Sequence, residues 1–331
     1  MGATMHNAIT DVAGIKVGHY TNSQAATGCT VVLCEDGAVP GVDVRGSAPG
    51  TRETDLMRTG NLVQEVHGIA LSGGSAFGLD SASGVMRYLE EREIGYRIGP
   101  GVVPIVPAAI IFDLGLIDHK VRPGADEGYQ ACLEAVAGPI AEGSVGAGTG
   151  ATVGKVLGKS NATKGGIGTA SIRLGNITIG AIAVVNAFGD VIDPHTGKVL
   201  AGPRDEQSKS FLRTDEILGS SNHPREQQGG PSNTTLAIVA TDACLNKEQA
   251  NKLAQVGQDG LAIAVRPCHS MGDGDVVFAL ATGKSDGEID MRQLCSFTSQ
   301  IVAKAIVRGA IMAKGLGGVP SAKEFSLLSR Q

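Results

Sequence analysis

Gly229-Gly230-Pro231-Ser232-Asn233-Thr234-Thr235 runs directly into Leu236-Ala237-Ile238-Val239-Ala240-Thr241-Asp242-Ala243. A polar loop carrying Gly and Pro meets an apolar run of strand-like composition, and the change falls at Asn233-Thr234. A Thr hydroxyl at the mouth of a buried strand is well placed for nucleophilic chemistry. If the chain were cut just before it, Thr234 would also carry a free α-amine able to act as its base. The plain alternative is a loop-to-strand junction, and these residues alone leave both readings open.

Working outward toward the C-terminus, Asn246 followed by Gln249 three residues later is a capping-box pattern, and it predicts a helix that runs to Ala264. Asp273-Gly274-Asp275 is a tight acidic turn feeding the strand candidate 276–281. A last helix is expected over 291–313. Toward the N-terminus, residues 190–232 are polar and carry Asp193-Pro194, Gly202-Pro203 and His223-Pro224. The segment is too long for an ordinary connection. It reads as a solvated linker or as a tail ending at a processing point. Residues 167–174 and 177–185 predict a hairpin across Gly175-Asn176. Residues 126–137 and the segment with Leu79, Ala82, Met86 and Leu89 show helical spacing. Residues 15–20, 28–34, 42–46 and 66–71 read as strands, with Asp36-Gly37 as a turn between two of them. Residues 102–111 contain Pro104 and Pro107 and suit an irregular or edge strand. Strand pairs alternating with helices imply stacked sheets flanked by helices.

The Gly-rich stretch from Gly146 to Lys155 tempts a nucleotide reading and fails it. Thr149 stands where a P-loop needs its leading Gly, and Val156 follows Lys155 where Ser or Thr is required. The Rossmann register fails too, since Ala151 follows Gly146-x-Gly148 and no acidic ribose partner stands further on. No cofactor is expected. The seven His and six Cys show no zinc spacing, so no metal is expected either.

Composition narrows the class. The 331 residues can bury a large core, with 42% hydrophobic residues but only 3% aromatics and no Trp. That core must be built from Ala, Val, Ile and Leu. The 48 Gly residues follow no period and favour close backbone packing. A net charge of -5 without a Lys/Arg cluster, and few aromatics for stacking, argue against nucleic acid. No basic-then-apolar leader opens the sequence, and its apolar runs are broken by Gly or Pro, so no membrane association is expected. Cys29, Cys34, Cys132, Cys244, Cys268 and Cys295 sit among apolar neighbours. They read as buried free thiols of a cytoplasmic protein.

Four separated motifs together carry a family resemblance. They are Asp11-Val12-Ala13-Gly14-Ile15-Lys16-Val17-Gly18-His19; Leu71-Ser72-Gly73-Gly74-Ser75-Ala76-Phe77-Gly78-Leu79; Asn233-Thr234-Thr235 through Ala243; and His269 to Asp275 before Phe278-Ala279. In this order they resemble the L-aminopeptidase/D-Ala-esterase/amidase family, the S58 peptidases. That family includes β-aminopeptidases and nylon-oligomer hydrolases. The resemblance implies a four-layer α-β-β-α sandwich of N-terminal-nucleophile type. It implies a single domain that cuts itself before Thr234 into residues 1–233 and 234–331, and a homo-oligomer of cut protomers. The substrate would be a small peptide, amide or ester.

It also implies roles for single residues. Thr234 would be the nucleophile, and Lys155 would keep the Thr234 amine basic. Asn186 would donate to the oxyanion, and Asp273 and Asp275 would orient the nucleophile. One departure stands out. Aminopeptidase members carry Glu-x-Tyr-Asp where this chain has Ile110-Ile111-Phe112-Asp113. Ile110 cannot pair with an ammonium and Phe112 cannot donate, so an amidase or esterase acting on substrates without a free amine fits equally well. Rival readings are an acyltransferase of the ornithine-acetyltransferase type and an uncut, non-enzymatic binding protein of the same fold.

Overall fold

The computed structural model describes residues 5–221 and 233–328. The elements that position the site are β1 (Lys16–Asn22), β2 (Thr27–Val44), β3 (Val66–Ser72), α1 (Ser81–Glu90), β4 (Ala108–Ile110), α2 (Ala125–Leu133), β5 (Gly166–Leu174), β6 (Ile177–Asn186), β7 (Thr234–Thr241), α3 (Lys247–Ala264), β8 (Val276–Ala281) and α4 (Met291–Ile311). Among the described residues these strands join in the order β5-β6-β7-β8-β2-β3-β4, with β1 also paired to β2.

β2 belongs to two sheets. Cys29 to Leu33 pair with β3, whereas Val39 to Val44 pair with β8, and the register shifts between Leu33 and Ala38. Gly37 sits in that shift with φ +89°, a left-handed conformation that a Gly adopts without strain. The Asp36-Gly37 turn expected from sequence is therefore a bulge within one 18-residue strand. There the chain leaves one sheet for the other.

The two sheets pack face to face. Val32, Ile69 and Leu71 of one meet Ile182, Val184, Leu236, Ile238 and Phe278 of the other. The opposite faces carry the helices, α1 and α2 over Val31, Leu33 and Ala70, and α3 and α4 over Ala181, Ala183, Ala237, Val239 and Ala279. This is the expected α-β-β-α sandwich. Strand periodicity explains it, since neighbouring residues face opposite ways. In β7, Leu236 and Ile238 point between the sheets while Ala237 and Val239 point to the helices. Small residues on the outer faces let helices come close. A side chain at Gly41 would stand 2.3 Å from the Ala250 carbonyl oxygen of α3.

β7 and β8 run parallel, Leu236 opposite Val276 and Thr241 opposite Ala281. A parallel pair needs a crossover, and α3 supplies it. The expected capping box starts that helix: Gln249 N donates to Asn246 Oδ1 (2.9 Å) and Asn246 N to Gln249 Oε1 (3.0 Å). The β5–β6 hairpin also forms, with Leu174 opposite Ile177. α4 is long and apolar enough to cross a bilayer, but half of it is buried against the sheet through residues such as Ile301, Val302 and Ile306.

Two expectations need correction. The segment after 190 is not a solvated linker as far as residue 221. Asp190–Ile192 pairs with Val199–Ala201 and with Val265–Arg266, and buried Asp190 accepts from Thr214 N (2.8 Å) and from the Thr214 hydroxyl. Residues 222–232, including Gly229 to Ser232, lie outside the described residues. Of the cysteines, Cys29, Cys34 and Cys132 are buried, but Cys268 and Cys295 are half-buried and Cys244 is exposed. Cys244 follows the end of β7, where the chain leaves the sheet for α3.

Candidate active site

β6 ends where β7 begins, so antiparallel pairing sets Asn186 directly opposite Thr234. β8 starts at the same edge because it runs parallel to β7, and its entry turn bridges Asn233 to Asp273. The topology thus brings Asn186, Asn233, Thr234, Asp273 and Asp275 to one sheet edge. Thr234 is 4% exposed, and Asn186, Asp273 and Asp275 are buried deeper still.

In the continuous chain the Thr234 hydroxyl donates to the Asn233 carbonyl oxygen at 2.5 Å. Gly274 N donates to the same oxygen at 2.9 Å. Asp275 fixes the strand start: its Oδ1 accepts from Thr235 N (2.6 Å). Its Oδ2 accepts from His269 N and faces His269 Nδ1, both at 2.9 Å. Asp273 Oδ2 accepts from Ser270 N (2.7 Å).

Lys155 reaches the site from the loop after the short strand Thr152–Val153. Gly154 N and Lys155 N donate to Gly189 O (3.1 Å) and Phe188 O (3.0 Å), clasping the loop to the chain beyond β6. Its Nζ donates to both Asn186 O and Asn186 Oδ1 at 2.9 Å. Thr152 N also donates to Asn186 Oδ1 (3.0 Å). With Oδ1 so occupied, the amide presents Nδ2 on the other side, where it donates to Phe112 O (3.2 Å).

Burial pulls the Lys155 ammonium down to about 7, with the Asp273 charge working against it. Burial and the neighbouring Asp275 charge push the Asp273 carboxyl above its ordinary range. Burial disfavours a charged His269, but its hydrogen bond with Asp275 prevails and raises it to about 10. That hydrogen bond, together with one to Cys268, favours the charged ring, and it holds His269 Nδ1 against the Asp275 carboxylate.

A cavity of about 180 Å³ opens beside Lys155, lined by Phe112, Asp113, Leu116, Thr152 and Lys159 among others. Asp113 accepts from Gly74 N (2.7 Å) and the Thr27 hydroxyl (2.8 Å), and burial raises its carboxyl to about 6. Fully buried Lys164 donates to the Gly148, Ala151 and Gly165 carbonyls at 3.1, 2.8 and 2.8 Å. It thereby ties down the loop that leads to Lys155. Ile110 is 7% exposed, its side chain filling the space beside Gly50.

Every residue singled out from the sequence lies in this cluster. Sequence reading gave no part to the Gly274 amide or the Thr152 amide, which act through the backbone. His269 and Gly274 both stood in the quoted His269-to-Asp275 motif, and that motif was the available signal.

The α-β-β-α sandwich, with a Thr heading a central strand beside a half-buried Lys, a buried Asn and two buried Asp, has the fold of N-terminal-nucleophile hydrolases. The chain matches the model of Peptidase family S58 over residues 7–323 and belongs to that family. It is 42% identical over 351 residues to a Mycobacterium tuberculosis protein described as an uncharacterized aminopeptidase, covering 96% of this chain and 98% of that one. It is 31% identical over 281 residues to a 6-aminohexanoate-oligomer endohydrolase of Kocuria sp., covering 83% and 75%. The solved L-aminopeptidase D-Ala-esterase/amidase of Ochrobactrum anthropi shares the fold, with a TM-score of 0.73 at 20% identity over 100% of this chain and 96% of that one.

Proposed function

We propose that this hydrolase cuts its own chain at Asn233-Thr234 and then opens amide or ester bonds through an acyl-enzyme on Thr234. The observation that carries the reading is the Thr234 hydroxyl lying against the Asn233 carbonyl at a buried strand mouth. In the cut, the hydroxyl oxygen bonds to the Asn233 carbonyl carbon. The C–N bond breaks, and the hydroxyl proton ends on the departing Thr234 nitrogen. Water then hydrolyses the ester, restoring the hydroxyl and leaving a free amine.

That amine, with an ordinary pKa of about 7.7–8.0, is suited to take the hydroxyl proton when a substrate carbonyl is attacked. A positive charge on Lys155 nearby keeps it from over-protonating. Asn186 Nδ2, aimed by the two donors on its Oδ1, serves as oxyanion donor. Asp275 holds Thr235 N and so sets the direction of the nucleophile.

The substrate is a small peptide, amide or ester entering through the cavity beside Lys155. Ile110 and Phe112 supply neither a carboxylate nor a hydroxyl, which supports substrates lacking a free amine at that place. The oligomer endohydrolase relative, named for cleavage of an oligomer, is in keeping with this. The cut protomers would assemble into a homo-oligomer, as the family resemblance implies. Three of the six cysteines, Cys29, Cys34 and Cys132, are buried free thiols, which suits a reducing, cytoplasmic setting.

Intact-mass measurement tests the central claim. Wild type is expected as two fragments, residues 1–233 and 234–331, and Thr234→Ala as one chain of 33.7 kDa without hydrolytic activity. A wild-type mass still equal to the whole chain after long incubation overturns the reading.

A further inference from the structure

Attack on a peptide carbonyl moves an electron pair onto its oxygen, and that oxygen needs a donor in place before the charge forms. The donor aimed at the Asn233 oxygen is Gly274 N, at 2.9 Å. Asn186 is differently engaged, its Nδ2 donating to Phe112 O.

The turn carrying Gly274 is tied down on several sides. Asp273 O accepts from Ala48 N (2.9 Å), Asp273 N donates to Ser270 O (3.1 Å), and Asp275 O accepts from Arg45 N (3.1 Å). The Asp275 carboxylate lies between Thr235 N and the His269 backbone and ring. Position 274 admits no side chain. A Cβ there would stand 2.8 Å from Thr234 Oγ1 and 2.9 Å from Ala48 O.

Resting on the reading that the chain cuts itself, we propose that the Gly274 N–H is the oxyanion donor of the self-cut, and that His269 is a positioning residue that holds this donor in place through Asp275. Oγ1 of Thr234 bonds to the Asn233 carbon while the carbonyl electron pair moves onto the oxygen facing Gly274 N. The pair returns as the C–N bond breaks and the Thr234 nitrogen takes the proton. Gly274 supplies no proton and is unchanged at the end.

The His269 backbone shapes the test. Its φ is +57°, a left-handed conformation that Asn and Gly both accept. Asn can still place an N–H near the Nδ1 position, and Gly cannot. Full-length chains made by cell-free translation would be followed by intact mass over time. Replacing the Gly274 amide by an ester, with glycolic acid incorporated at position 274 during translation, removes the N–H without adding a side chain and is expected to slow the cut by about 10²–10³-fold, the effect of losing one oxyanion donor. His269→Gly is expected to slow it by about 10²-fold, the effect of a misplaced group. His269→Asn should restore most of the rate.

Because Asn and Gly share the backbone, a gap between them reports the side-chain bond to Asp275 and not backbone strain. Wild-type cutting together with an unslowed cut in the chain carrying the ester at 274 overturns the donor role. Equal rates for His269→Gly and His269→Asn overturn the positioning role. A wild-type chain that stays whole overturns the parent reading along with both.

Discussion

Lys155 shows best how a residue's chemistry is set by its surroundings. The family resemblance set it near the nucleophile, as the residue that keeps the Thr234 amine basic. Burial lowers it to about 7, so near neutrality it changes state. Because its pKa is depressed, the neutral amine gains as pH rises through 7 and is lost below it. The charge that keeps the Thr234 amine from over-protonating is thus present below about 7 and is lost as pH rises through it. Lys155→Met, which carries no charge at any pH, should move the rising limb of hydrolysis set by the Thr234 amine to higher pH, read from pH–rate profiles of the two proteins. The shift depends on what encloses the ammonium, and local sequence carries no record of that. The Ile110 and Phe112 departure, by contrast, was legible at once, because a missing carboxylate and hydroxyl are properties of the side chains themselves.

Local signals fixed some elements and misled on others. The α3 cap was legible because Asn246 and Gln249 lie three residues apart and satisfy each other. Asp36-Gly37 has turn chemistry, but whether a strand reverses there or passes into a second sheet depends on partners far along the chain. The polar run after 190 looked like linker because composition hides the single buried carboxylate that organises it, Asp190. The loop bearing Lys155 offers a test at this scale. Lys164 gives its three donors to the Gly148, Ala151 and Gly165 carbonyls and lies near the Asp113 charge. Lys164→Met would leave these groups without their donor. It should lower stability by about 3–5 kcal/mol, measured as a shift in denaturant midpoint.

The whole molecule is an interleaved object. β7 lies between β6 and β8, and β8 between β7 and β2, so two strands from beyond residue 233 stand inside a sheet otherwise built from residues before it. The strand order was not legible, since periodicity identifies strands but not their neighbours. The alternation of strand pairs and helices implied stacked sheets flanked by helices, and the resemblance made that the four layers α-β-β-α. If the chain is cut as proposed, the two pieces would share one apolar interior, Leu236, Ile238 and Phe278 against Val32, Ile69 and Leu71. They should therefore co-elute in size-exclusion chromatography under native conditions and part only in denaturant. Separation in plain buffer would contradict the interleaving.

The turn that grips the Asn233 carbonyl enters the sheet forty residues after the bond it grips. A chain leaving the ribosome exposes Thr234 first, while Gly274 and the strand behind it are still unmade. During that interval the hydroxyl has no polarised carbonyl to attack. Under the proposed self-cut, truncated or misassembled products would keep the bond whole and the amine blocked. Maturation would then be a quality gate: the amine would be released only by a chain whose crossover helix and last sheet strand have reached their places, and each cut molecule would be a record of completed folding.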